Sequence, residues 1–222
     1  MVLSANKNFC RLVAACSAVL FVQSCHLANF PSSAEQWDKQ ARTKYLHEEF
    51  NLACDDWDRA IDLKPENAQW YYMRSRACMR FGRDVQAVDD AKKAIEVLGT
   101  KDPRKLIYFY LQLGIAHVKK AEFPEAKAAY KKALELANGN VDAAPVYMEL
   151  GKVETIVGEL EDAIDHLSKS IALVPTLGRA YFYRAKAYRD AGMIEKADHD
   201  LQTSKDMNYE PENDKWEPLP VE

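Results

Sequence analysis

Large apolar, small and polar residues return in the same order five times between Ala34 and Pro211, once every 34 residues. With the frame started at Ala34, Ala68, Ile107, Ala144 and Gly178, place 4 is aromatic throughout (Trp37, Tyr71, Tyr110, Tyr147, Tyr181). Place 20 is always alanine (Ala53, Ala87, Ala126, Ala163, Ala197), and place 8 is always small (Ala41, Ser75, Gly114, Gly151, Ala185). Place 27 is small as well, while place 24 is bulky in four repeats, as Trp57, Tyr130, Leu167 and Leu201. Small residues at places 8 and 20 let two antiparallel helices approach closely, and large ones at 4, 11 and 24 fill the space between them. Place 15 is Gly82, Gly158 or Gly192 in three repeats, where a positive φ closes a first helix. Ser33-Ala34-Glu35-Gln36 has the form of a capping box, and Pro124 and Pro145 fall at first-turn positions. The pattern predicts one all-α domain of about ten helices, two per repeat.

The repeats span residues 34–67, 68–101, 107–140, 144–177 and 178–211, with slips of five residues at Asp102–Leu106 and three at Val141–Ala143 that read as longer loops. Together with Leu113-Gly114 and Leu150-Gly151 at places 7 and 8, and Pro65 and Pro175 at place 32, the columns resemble the tetratricopeptide repeat family over 178 of 222 residues. Departures are local: Arg74 and Cys78 stand at places 7 and 11 of repeat 2, and Tyr209 replaces the usual Pro in repeat 5. The resemblance implies a right-handed α-solenoid of five helix-turn-helix repeats. First helices would line a concave groove and second helices a convex back. It also implies a protein-binding scaffold rather than an enzyme.

The same resemblance assigns places 5 and 9 to the groove. The expected partner-binding residues are Arg42, Tyr72, Arg76, Leu111, Ile115, Met148, Lys152, Phe182 and Lys186, an apolar row beside a mostly cationic one. Places 1–14 hold 13 basic and 5 acidic residues, whereas places 15–34 hold 12 and 23. A basic groove on an acidic shell would steer in an acidic protein or peptide with apolar anchors. The competing reading is that these Arg and Lys are solvated and lay their stems over neighbouring side chains. No repeat has the Lys and Asn pair at places 5 and 9 with which family members clamp chaperone tails. An overall net charge of −4 argues against nucleic acid. The outer face of repeat 5 is a candidate homodimer surface unless Trp216 in the 212–222 tail covers it.

Nothing in the sequence has the form of a catalytic, metal or cofactor site. The histidines (His26, His47, His117, His166, His199) are never three or four apart, and there is no Cys-x-x-Cys or phosphate-cradling glycine loop. His117 at place 11 reads as a packed core residue. Asp55-Asp56-Trp57-Asp58 and Asp89-Asp90 read as a solvated outer face. Hydrophobic content of 48% with 29% charge is ordinary for a folded domain.

The N-terminus carries a separate signal. Residues 1–24 have Lys7 and Arg11, no acidic residue and an apolar run from Leu12 to Val22, too short to span a bilayer. Val22-Gln23-Ser24-Cys25 resembles a bacterial lipobox, which implies lipid attachment at Cys25 and residues 25–33 as a short tether. Ordinary signal cleavage after Ser24 is the alternative. His26 after the cysteine points to the outer membrane, facing the periplasm, by resemblance to enterobacterial lipoproteins. In the family that the repeats resemble, the second helix of one repeat packs on the first helix of the next, which implies that Cys54 (place 21) and Cys78 (place 11) meet across a repeat boundary, either as a disulfide or as two buried thiols. The function expected is an envelope scaffold assisting a membrane, secretion or pilus complex. The alternatives are an adaptor for peptidoglycan enzymes and a soluble intracellular module.

Overall fold

A computed structural model describes residues 33–209 and 211. The expectations for the leader, Cys25 and the 212–222 tail lie outside the described residues. Within them the chain forms five helix pairs: α1 (Ala34–Leu46) with α2 (Phe50–Leu63), α3 (Ala68–Phe81) with α4 (Asp84–Leu98), and α5 (Pro103–Lys119) with α6 (Phe123–Ala137). Repeats 4 and 5 are α7 (Ala143–Val157) with α8 (Leu160–Leu173) and α9 (Gly178–Asp190) with α10 (Ile194–Asp206). No strand occurs among the described residues, and the fold is the all-α helical repeat that the columns predict. No described helix is long and apolar enough to cross a membrane.

The columns mark where the two helices of a pair touch. Place 20 alanines are fully buried in every repeat, as are Trp57, Tyr130 and Leu167 at place 24. Leu201, at the same place in repeat 5, is half-buried; among the described residues no further first helix covers it. A Cβ on Gly114 would lie 2.2 Å from the Tyr130 ring, and one on Gly151 would lie 2.7 Å from Leu167. At place 8 of repeat 2, Ser75 donates to the Ala87 carbonyl at 2.7 Å, so its hydroxyl enters the same tight space satisfied.

Helix ends follow from local chemistry. Ser33 and Gln36 form the reciprocal capping box on α1. Place 15 takes a positive φ in all five repeats: Glu48 (62°), Gly82 (89°), Ala121 (57°), Gly158 (82°) and Gly192 (75°). The turn therefore demands this conformation even where the residue is not glycine. The longer loop expected at Asp102–Leu106 is absent. The five-residue slip instead extends α5 to 17 residues, capped by Asp102 with Pro103 in the first turn. Arg104 on that extra turn and Tyr108, one turn further along α5, both donate to Asp142, which pins the start of α5 to the segment before α7.

Two substitutions test this packing. Alanine at Gly114 gains helix propensity yet drives its methyl into the buried Tyr130 ring, so Gly114→Ala should destabilise by about 1–3 kcal/mol in thermal or denaturant melts. An exposed helical glycine would give the opposite sign. Ala121→Gly should instead stabilise by about 1 kcal/mol, since the left-handed conformation disfavours a Cβ by roughly that amount.

Candidate interaction surface

Contacts between helices fix which side of the solenoid is inner. Each second helix packs on the next first helix, and α3 with α5, α5 with α7, and α7 with α9 also touch directly. Successive second helices make no comparable contact among the described residues. The first helices thus lie on the tight inner curve.

That closeness changes the expected groove. Tyr72, Leu111 and Met148 at place 5 are fully buried, filling the joints between successive first helices. Tyr72 stacks on Phe109 of the next repeat at 4.9 Å. The expectation of an open apolar row at place 5 is therefore corrected: in repeats 2 to 4 the following first helix covers it. Phe182, with no described first helix after its own, stays half-buried against Tyr183 and Tyr209. Asp38 holds place 5 of repeat 1, where it accepts from the Trp57 indole at 2.8 Å and from Arg42 at 2.9 Å.

Place 9 divides. Arg76 is only 4% exposed, with its guanidinium over the Tyr45 and Tyr72 rings, so it belongs to the core rather than to an open groove. Arg42 and Lys186 are exposed, and Ile115 and Lys152 are half-buried. Lys152 reaches Glu149 at 3.4 Å and lies over Tyr183. One helical turn further, places 12 and 13 share the stripe of places 5 and 9. There Met79, Arg80, Val118 and Thr155 are half-buried, and Lys119, Ile156 and Arg189 are exposed. The accessible inner wall lies toward the C-terminal ends of the first helices. Among the described residues, neither Lys119 nor Lys186 forms an ion pair.

Much of the basic excess of the first helices is neutralised internally, which the sequence reading did not anticipate. At places 7 and 23, Arg74 meets Asp90 through Nε at 2.8 Å and a second nitrogen at 2.5 Å, and Arg184 meets Asp200 at 2.6 and 2.9 Å. Both arginines also reach back to place 25 of the preceding repeat, at Asp58 and Ser168. Burial works against the Arg74 charge, but Asp90 and Asp58 outweigh it and hold the guanidinium above its ordinary value. Burial holds the Asp90 carboxyl above its ordinary value, and the two-point contact with Arg74 opposes that shift. Lys44 with Asp56 and Glu154 with His166 join places 11 and 23 in repeats 1 and 4. Asp56 and Asp90 are thus buried partners, not the solvated face expected, while Asp89 is exposed. A place 7 Arg followed sixteen residues later by Asp was the legible signal.

Among the described residues, the other polar clusters are paired within themselves. His117 is buried as expected, with Nδ1 2.7 Å from Glu122. Glu154, Glu159 and Asp162 bring carboxylate oxygens within 4.8 Å of one another, but His166 occupies Glu154 and Lys127 occupies Glu159. A recess of about 410 Å³ lies at the opposite edge, lined by Lys64, Asn67 and Lys101 from the inter-repeat loops and by Lys105 from the first turn of α5. Lys64 already engages Glu35 there, and Asn67 caps α3. Cys54 and Cys78 do meet across the repeat boundary, as free thiols.

The sequence profile of the tetratricopeptide repeat matches residues 39–103 and 111–177, and the chain belongs to that family. It is a tetratricopeptide protein-interaction module. It is 31% identical to the Protein SGT1 homolog of Oryza sativa subsp. japonica over 49% of this chain and 28% of that protein. The chain spans about a third or less of the curated relatives it matches. Among solved structures, BtubC from P. vanneervenii aligns with a TM-score of 0.68 at 17% identity, covering 85% of this chain and 86% of that one. YrrB, described as a TPR protein with an unusual peptide-binding site, aligns at 0.54 and 22% identity over 77% and 84%. These structural likenesses carry the fold.

The buried pairs yield a test that repeat 3 supplies, since it has Leu113 and Ala129 at places 7 and 23. Arg74→Leu alone strands Asp90 and should destabilise by about 3 kcal/mol. Adding Asp90→Ala should recover the loss to within about 1 kcal/mol in denaturant melts. Equal losses in the single and double variants would contradict the pairing.

Proposed function

We propose that this chain is a non-catalytic scaffold that holds a peptide segment of a protein partner along the C-terminal ends of its first helices. The observation that carries the reading is the accessible stripe at places 9, 12 and 13. It sets Ile115, Val118 and Ile156 beside Lys119, Lys152, Lys186 and Arg189. An acidic segment with a few aliphatic anchors matches it, because the apolar side chains give area and the cations give orientation and speed of encounter. Lys152 keeps its Glu149 partner, so Lys119 and Lys186 supply the uncompensated charge. YrrB, described as having an unusual peptide-binding site, offers a precedent for peptide binding on this fold. Placement in the cell envelope through a lipid on Cys25 completes the proposal, supported by the apolar leader and Val22-Gln23-Ser24-Cys25. There the scaffold would assist assembly of a membrane, secretion or pilus complex.

Charge reversal at the exposed sites tests the groove. Lys119→Glu with Lys186→Glu should weaken binding of acidic, leucine-bearing peptides roughly tenfold, as two rim charges do, and leave helicity intact. Raising salt should reduce the difference. Unchanged affinity in a folded double variant would overturn the groove assignment. The intact mass of the chain from its own cells tests the anchor separately: a lipidated start at Cys25 supports it, and an intact Met1 refutes it.

A further inference from the structure

Cys54 lies in α2, the second helix of repeat 1, and Cys78 in α3, the first helix of repeat 2. Both side chains are fully buried, and their sulfur atoms face each other at 2.9 Å. Cys78 occupies place 11, where repeat 5 has Tyr188, so the joint between repeats 1 and 2 is filled there by two small side chains. Repeat 1 is the terminal unit of the described solenoid. In a linear array each unit is held by its neighbours alone, so a terminal unit opens at the lowest free energy.

We propose that Cys54 and Cys78 are an intramolecular disulfide site that staples the terminal repeat to the rest of the solenoid. The link needs no new contact: the two sulfurs already meet in the reduced fold, and α2 and α3 pack on each other. The oxidant assigned is a small-molecule disulfide of the glutathione class. One cysteine thiolate attacks a sulfur of that disulfide and expels one small-molecule thiolate. The second cysteine thiolate attacks the mixed disulfide and expels the other. Two cysteine protons and two electrons pass to two small-molecule thiols, and one protein S–S bond forms.

Burial sets when this happens. Contact with Cys54 and burial hold the Cys78 thiol far above its ordinary range, so it does not react in the closed state. Oxidation then occurs during folding or when repeat 1 opens. Once formed, the link resists reduction for the same reason. The proposal is independent of the groove reading.

The test uses the full chain, refolded from denaturant in glutathione buffers of graded ratio, then alkylated and mapped by peptide mass spectrometry. A peptide joining Cys54 to Cys78, still present with at least a tenfold excess of reduced over oxidised glutathione, is expected. Mapping resolves it from links to Cys10, Cys16 or Cys25. The oxidised protein should melt higher than the reduced one by on the order of 5–10 °C. In the native fold, low urea should speed formation by admitting the oxidant. Alkylation of both thiols after refolding in oxidised glutathione alone would overturn the proposal. So would an oxidised form that melts at or below the reduced one. Cys54→Ala with Cys78→Ala should make melting indifferent to reductant; if that variant does not fold, mapping of the native chain decides.

Discussion

The close approach of two helices at places 8, 20 and 24 is the contact from which the rest of the solenoid follows. Tyr130 against Gly114 and Leu167 against Gly151 leave no room for a Cβ on the glycine. Each such contact fixes the angle within a pair, and the exposed side of the pair then becomes the bed for the next first helix. Stability accrues repeat by repeat, since each unit is held by its neighbours. The fully buried place 24 side chains of repeats 1, 3 and 4, and the half-buried Leu201 at the end, show that dependence directly.

A second consequence concerns charge. The first helices look like a cationic wall because their carboxylate partners sit on second helices, sixteen or twelve residues later in the chain. Arg74 with Asp90 and Arg184 with Asp200 replace apolar packing at place 7, and Leu113 with Ala129 shows the apolar solution of the same joint. Removing a buried partner is costly, whereas exchanging the whole pair is not. What remains for a ligand is a narrower set of cations than composition suggests, concentrated where the first helices end.

The period, the pair boundaries and the caps were legible because they depend on residues near in sequence. Alanine at place 20 and aromatics at place 4 repeat in register, and the capping box at Ser33 is read within four residues. The groove was legible only in part. Whether Tyr72, Leu111 and Met148 are open or closed depends on how near one first helix lies to the next. No single-repeat column encodes that distance. Phe182 is half-buried because no described first helix packs over it. The positive φ at Ala121 was hidden for the converse reason: the turn imposes it against the residue's own preference.

Because the reading turns on which surface the partner covers, lysine acylation footprinting of the chain with and without its bound partner tests it most directly. Lys119 and Lys186 on the inner wall are exposed, as are Lys92 and Lys131 on the second helices, so all four are reactive in the free protein. The account predicts that binding protects Lys119 and Lys186 and leaves Lys92 and Lys131 labelled as before. Protection of Lys92 and Lys131, with Lys119 and Lys186 unchanged, would place the partner on the convex back and contradict it.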